Sequence, residues 1–487
     1  MLLKTVCKAS FRTLTTKSVL SSKPTSVLAP LQQYAPTFYT NGDNIKPLYQ
    51  PSDFYSHLKS SILSAKERVF IAALYIGQSE QELVDTLRLA LEKTPTLQVN
   101  VLIDCLRGTR ASKGQSSATL LLPLIKDYPD QIKIAMYHTP DLTGILKKTL
   151  PQRFNESIGL MHLKVYGFDN SVMLSGANLS TDYFTNRQDR YMIFDNQKAL
   201  TCYYHDLLKL VSDCSYQLSL PKNQEQSYSL TIKDDTADPV KDSRRYRRQV
   251  HQRLQQFIQS QEEKEHCEEN GNADTAVLPV IQMGPFHIRQ DERLTLELLN
   301  IANRQQDNPW TIHLTSGYFN FTEKYKAFIL KTRARFRFLT ASPEANGFFN
   351  SKGVSRFLPP AYTFIERQFY RQVKRAGRQS EISIEEYKRP GWTYHAKGLW
   401  VNLGVDDALP SATMIGSPNF GQRSSERDLE AQALVITKNE NLRRALHKEV
   451  DLLHQHSEVV SNETFAKLDR QVPNGVKIAT AFVKTML

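Results

Sequence analysis

The sequence predicts an α/β protein made of two duplicated halves that can face each other about a pseudo-twofold axis. Three observations predict it. Strand-like and helix-like patterns alternate along most of the chain. Four short landmarks occur twice in the same order, and a polar, charged stretch separates the two copies. At 487 residues the chain has room for two or three domains, each with its own core.

Residues 1–42 contain no Asp or Glu and carry Lys4, Lys8, Arg12, Lys17 and Lys23 among many Ser and Thr. Leu2, Leu3, Val6, Phe11 and Leu14 can line an apolar helix face opposite the cations. This is the composition of a mitochondrial transit peptide, expected over residues 1–39. A secretory signal is excluded because the stretch lacks an apolar core of about 7–15 residues. The first half is expected over residues 40–220. Residues 68–76 read as a buried strand, 80–93 as a helix with Leu83, Leu87 and Leu91 on one face, and 97–104 as a second strand. Residues 221–280 read as a charged linker, basic over 244–253 and mostly acidic over 262–274, with a solvated helix in the middle.

The second half, expected over residues 281–487, restates the first. The strand at 310–319 carries Ser-Gly-Tyr where the first half has Ala-Leu-Tyr at 73–75, and 335–340 resembles the strand before Asp104. Residues 161–168 are echoed by 394–401, and 175–178 by 416–419. Tyr75 precedes His162 by 87 residues and Tyr318 precedes His395 by 77. Common order at similar spacing indicates internal duplication, and two such halves can present the same surface to each other.

The formal charge is +12, or about +7 without the five leader cations. A basic surface suits an anionic partner, but a nucleic-acid track is not expected at that charge. No run of 18 apolar residues occurs, so contact with a membrane is expected to be peripheral. Five cysteines without CxxC spacing fit neither a disulfide framework nor a zinc site; a reducing compartment such as the mitochondrial matrix suits them.

The chemistry concentrates in two motifs. His162 to Asp169 reads HxKxxxxD, and His162, Lys164 and Asp169 are candidate catalytic residues. On a strand, His162, Lys164 and Tyr166 share one face, and Met161, Leu163 and Val165 turn the other to a core. The turn at Asp169 and a returning strand over 171–175 bring Asn178 beside His162. The second half repeats this with His395 and Lys397, followed by Ser417 and Asn419. Eleven residues after each Asn stands a carboxylate, Asp189 or Glu430. One HxK pair is weak evidence, but two with matched followers point to phosphoryl-centre chemistry. Lysines and asparagine amides can stabilise charge on non-bridging oxygens. One imidazole can attack phosphorus while the other handles protons. Asp189 and Glu430 are the candidates to fix the imidazole tautomers. The lysines supply positive charge, so neither metal nor cofactor is expected. Ser175 and Ser417 beside the asparagines, and Arg107, Arg110, Arg187 and Arg190 near the motifs, are candidates to bind the substrate and its phosphates. His138 reads as structural, and His454 with His456 does not complete a metal site.

These residues resemble the phospholipase D superfamily, whose signature is HxKxxxxD followed by GSxN. More closely, His162 to Asp169, Ser-Gly-Ala-Asn-Leu-Ser, and the stretch from Tyr183 to Tyr191 resemble the eukaryotic mitochondrial phosphatidylglycerophosphate synthases. So do Arg107 to Arg110, His138 to Pro140 and Tyr394 to Gly398. The resemblance covers nearly all of the chain after the leader. It implies two α/β halves sharing one active site, with His162 as nucleophile and His395 as acid and base. It also implies transfer of a phosphatidyl group from CDP-diacylglycerol to glycerol 3-phosphate, releasing CMP, for cardiolipin synthesis at the matrix face of the inner membrane. There are two departures. Ser175 and Gly176 exchange the order of GSxN, and Asn402 stands where the second motif's acid belongs. A hydrolase of the same superfamily, lipase or nuclease, would use water instead, and a lipid-binding scaffold would not turn over. Spacing alone chooses neither acceptor nor oligomeric state.

Overall fold

The structure, a computed structural model, describes residues 19–144, 155, 158–221, 226–264 and 273–484. Two large sheets carry the two halves. In the first, Ile132–Tyr137, Gln98–Asp104 and Arg68–Ala73 run parallel, and Val165–Phe168, Ser171–Ser175 and Tyr191–Phe194 continue the sheet antiparallel. The second sheet has the same order. Ile382–Tyr387, Arg335–Ala341 and Thr311–Ser316 run parallel, followed by antiparallel Lys397–Asn402, Ala412–Gly416 and Leu429–Thr437. Parallel neighbours need crossovers, which helices such as Gln81–Lys93 and Leu358–Arg375 supply. Gln81–Lys93 buries Leu83, Leu87 and Leu91, the face its spacing predicts.

Alternation along the first HxK segment is also realised. Met161, Leu163 and Val165 enter one apolar cluster, while Tyr166 and Phe168 enter another. The cluster holding Val165 lies between the sheets, because Trp400, Ile415 and Val435 of the second sheet belong to it too. Helices Lys198–Asp213, Ser243–Glu262 and Glu440–His454 contribute to the same layer. Each sheet has a further core on its other face. The halves therefore share a buried layer, and its apolar area is what holds them together.

Two stretches are more deeply built in than their composition suggests. The helix Ser243–Glu262, in the charged stretch, is solvated on one side only: Tyr246, Val250, Leu254 and Phe257 are buried at helical spacing. Thr275–Met283, which straddles residue 280, is a fully buried strand of the second sheet. Residues 1–18 of the leader lie outside the described residues. From Val19 onward the chain packs: Val19, Leu20, Leu28 and Leu31 are buried against the second half. Phe38–Thr40 then pairs with Thr275–Met283, and Ile45–Leu48 pairs with Tyr191–Phe194 in the other sheet. Among the described residues no helix is long and apolar enough to cross a membrane.

Candidate active site

Both HxK segments reach the seam between the halves, where backbone pairing fixes them. Arg187–Gln188 pairs in parallel with Thr393–Tyr394, and the His395 N–H donates to the Gln188 carbonyl at 2.8 Å. Reciprocally, Met161 bridges Leu429 in parallel, and the His162 N–H donates to the Leu429 carbonyl at 2.9 Å. Each histidine is thus tied to the residue just before the other half's carboxylate.

The side chains follow the backbone. His162 Nδ1 lies 2.9 and 3.0 Å from the two oxygens of Glu430. His395 Nδ1 lies 2.7 Å from Asp189 Oδ2. Each of these two imidazoles is therefore oriented by the opposite half. A carboxylate on Nδ1 leaves Nε2 to face the reacting group. Lys164 Nζ donates to the His162 carbonyl at 2.7 Å, and Lys397 Nζ to the His395 carbonyl at 2.5 Å. Lys397 also lies 3.6 Å from Asp189. The amide of Asn178 donates to Tyr183 Oη at 3.1 Å, which in turn is 3.4 Å from His395 Nε2. Asn178 Oδ1 and Asn419 Oδ1, equivalent atoms in the two halves, are both buried without a hydrogen-bond partner among the described residues. Unsatisfied polar atoms at matched positions are a feature of sites that complete themselves on a ligand.

Burial sets the electrostatics. It holds both imidazoles well below the usual histidine range, with Lys164 and Lys397 respectively adding to the effect. It also brings the Lys164 ammonium down to about 7 and that of Lys397 to about 8. Burial raises the Glu430 carboxyl to about 7 and raises Asp189 as well. Each ion here is disfavoured by lost hydration, and an anionic phosphodiester placed among them would restore the ammonium charges. His162, Asp428 and Glu430 lie close enough together to surround a cation. Two of those groups are already engaged: Asp428 pairs with Arg423 at 3.1 Å, and Glu430 accepts from Ser424 at 2.8 Å.

Other residues singled out from sequence take different places. Asp169 is remote from the chemistry, and its carboxylate accepts from the backbone N–H groups of Lys66, Glu67 and Arg68 at 2.8–3.2 Å. It closes the turn into the first parallel strand and is corrected from a catalytic to a supporting role. Asn402, its counterpart, bonds the Asp407 carbonyl at 2.8 Å. The substitution at 402 therefore leaves the reacting groups untouched. Ser175 is fully buried, donates to the Arg190 carbonyl at 2.7 Å and accepts from the Ala177 N–H. Ser417 exchanges bonds with the Ala431 backbone at 3.2 Å and supports Glu430. Both pin the segment that carries a carboxylate, so neither is placed to bind substrate. Gly176, at the position equivalent to Ser417, has no room for a side chain. A Cβ there would stand 2.4 Å from Asp189 Oδ1 and 2.6 Å from Lys397 Cδ.

The four arginines divide. Arg190 is corrected from substrate binding. It is buried, forms a two-toothed pair with Glu449 at 2.9 Å, caps the Met414 carbonyl at 2.6 Å, and lies 3.8 Å from the Trp400 ring centre. Gly398, at φ 130°, makes way for it, since a Cβ there would meet the guanidinium. Arg187 sits over the Tyr183 ring at 4.7 Å, beside the site, and bonds Thr393 at 3.0 Å. Arg107 stacks on Tyr75 at 4.6 Å, and Arg110 is half-buried on the following loop. His138 Nδ1 is 2.9 Å from the Thr139 carbonyl, and His454 pairs with Glu385 at 2.8 Å.

Beside Arg187, already singled out, the structure places residues that motif reading missed. The rings of Tyr183 and Tyr318 stand edge-on to His395, with centres 5.2 and 5.7 Å away. Asp428 accepts from the Leu160 N–H at 2.9 Å, two residues before His162, and Arg187 touches Thr393, two residues before His395. A sequence signal existed for this. Asp182 and Arg187 stand four and nine residues after Asn178, and Arg423 and Asp428 hold the same offsets from Asn419 with their charges exchanged. Each forms an ion pair, at 3.0 and 3.1 Å.

Comparison with known proteins bears on what such a site serves. No family model matches the chain. It is 41% identical over 488 residues to "CDP-diacylglycerol--glycerol-3-phosphate 3-phosphatidyltransferase, mitochondrial" of Gallus gallus, covering 93% of this chain and 85% of that protein. The human protein of the same name matches at the same identity and coverage. The Saccharomyces pastorianus transferase is 41% identical over 91% of this chain and 88% of its own length. Among solved structures, the phosphatidylserine synthase of Haemophilus influenzae Rd KW20 has the same fold. The TM-score is 0.71 at 18% identity, over 96% of this chain and 100% of that one. Identity of 41% sustained over nine-tenths of the sequence places this chain in the CDP-diacylglycerol–glycerol-3-phosphate 3-phosphatidyltransferase family.

Proposed function

We propose that the protein transfers the phosphatidyl group of CDP-diacylglycerol to glycerol 3-phosphate, giving phosphatidylglycerophosphate and CMP. The observation that carries this is the reciprocal pair of imidazoles, each held by a carboxylate of the other half with a lysine beside it. In the first step His162 Nε2 attacks the phosphatidyl phosphorus. A P–N bond forms, the P–O bond to CMP breaks, and His395, whose protonated form the bound phosphate anion favours, gives a proton to the departing oxygen. In the second, His395 takes the proton of the glycerol 3-phosphate hydroxyl as its oxygen attacks, and the P–N bond breaks. Lys164 and Lys397, with Asn178 and Asn419, face the charge that builds on the non-bridging oxygens. Tyr183 Oη lies 3.4 Å from His395 Nε2, and we assign proton transfer to that imidazole and the nucleophile's role to His162. Arg187, Arg107 and Arg110 are assigned to the phosphates of donor and acceptor.

We place the protein in the mitochondrion, at the matrix face of the inner membrane, making a precursor of cardiolipin. A removable leader would lie within residues 1–18, because Val19, Leu20, Leu28 and Leu31 are packed into the second half.

The test is CMP release by the chain from Val19 onward, with CDP-diacylglycerol in mixed micelles containing EDTA. Glycerol 3-phosphate, serine, phosphatidylglycerol and water are offered separately. Release driven by glycerol 3-phosphate alone is the expected result. Equal release with water would make it a hydrolase. A phosphatidyl adduct should accumulate on His395→Ala and be missing from His162→Ala; the reverse would exchange the two histidines.

A further inference from the structure

We propose that residues 347–357 dock the protein on an anionic lipid bilayer beside the active site. The inference rests on the phosphatidyl substrate just proposed. Three large exposed apolar side chains fall within nine residues: Phe349 (46% exposed), Val354 (61%) and Phe357 (39%). Lys352 and Arg356 are exposed among them, and the Arg356 guanidinium lies 4.8 Å from the centre of the Phe357 ring. No acidic residue occurs between Glu344 and Glu366. An apolar tip whose own charged side chains are all cations matches the boundary between acyl chains and acidic headgroups.

The other end of the segment meets the site. The Phe348 ring lies 6.0 Å from Tyr318, whose own ring is edge-on to His395 at 5.7 Å. Arg187 comes within 3.5 Å of where a Cβ on Gly347 would stand. The exposed tip is therefore separated from the reacting imidazole by two aromatic side chains. A diacyl substrate must bring its phosphorus to the histidines while its chains stay in the bilayer, and a tip here sets the depth at which that occurs.

The full chain should float with vesicles of phosphatidylcholine containing phosphatidylglycerol and bind less to phosphatidylcholine alone. F349S/V354S/F357S should weaken binding to the acidic vesicles by roughly tenfold or more. K352E/R356E should remove the preference for acidic vesicles. The single substitution Phe357→Trp should give a blue-shifted difference spectrum against the parent when vesicles are added, and it decides the matter should the triple variant misfold. Equal flotation of parent and triple variant, or an unshifted spectrum, would overturn the proposal. CMP release from a short-chain, water-soluble CDP-diacylglycerol is measured on the same samples and should survive all these substitutions. A parent that floats but releases no CMP would sink the transferase reading and leave the docking surface standing.

Discussion

The two halves hold the same reacting groups and differ in what supports them. His162 is oriented by a glutamate that Ser417 and Ser424 support, whereas His395 is oriented by an aspartate against which only Gly176 fits. Beside the second site stand the rings of Tyr183 and Tyr318. The ion pair four and nine residues past each asparagine has its charges exchanged, Asp182 with Arg187 but Arg423 with Asp428. The ninth-position side chain is the more buried in both, and it touches the residue two before the opposite histidine. Duplication thus kept position and burial while letting charge vary. The comparison teaches that the two imidazoles are chemically alike but set in unlike surroundings, as a nucleophile and a proton carrier would require.

The sharpest way to break the comparison is to remove each imidazole. His162→Ala and His395→Ala should each lower kcat by roughly 10⁴-fold or more, and the double variant should be little worse than either. Next come the crossed carboxylates. Glu430→Gln and Asp189→Asn should lower kcat by about 10²–10⁴-fold. In Glu430→Gln the imidazole nitrogen resonances of His162 should move while those of His395 stay; the opposite pattern would refute the cross-half pairing.

The lysines give a pH test. Burial brings Lys164 to about 7 and Lys397 to about 8, so both ammoniums are present below that range and are lost as pH rises through it. kcat/KM, which reports the free enzyme, should therefore fall on the alkaline side from about pH 7–8 rather than near the ordinary lysine value. Lys164→Arg, always charged, should carry the limb to higher pH whatever its maximum rate.

Smaller effects separate support from chemistry. Arg190→Ala breaks a buried pair and should cost about 3–5 kcal/mol of stability by thermal unfolding, with KM little changed. Asp169→Ala loses a turn cap and should cost about 1 kcal/mol, leaving kcat/KM within about twofold. A large loss of kcat from Asp169→Ala would return that residue to the site.

Much of this was legible beforehand because it is local. Alternation on a strand put Met161, Leu163 and Val165 in the core, and repeated landmarks announced two sheets of like order. The same motif logic misplaced Asp169, Ser175, Ser417 and Arg190, because proximity in sequence to a reacting histidine does not say which way a side chain leaves the strand. Composition understated the helix Ser243–Glu262 and the segment from Val19, whose few apolar residues are spaced to bury one face.

By itself the sequence determined that an HxK motif occurs twice, each copy followed by an asparagine and a carboxylate at matched offsets. It left the carboxylates unassigned, since Asp189 and Glu430 stand at equal offsets and fit their own half as well as the other. Only the docking of the two sheets decided that His162 takes Glu430, 268 residues away, and His395 takes Asp189, 206 away. The reason is physical: residue spacing encodes strand faces and turns, whereas a contact across a seam depends on the apolar layer that seats one sheet against the other.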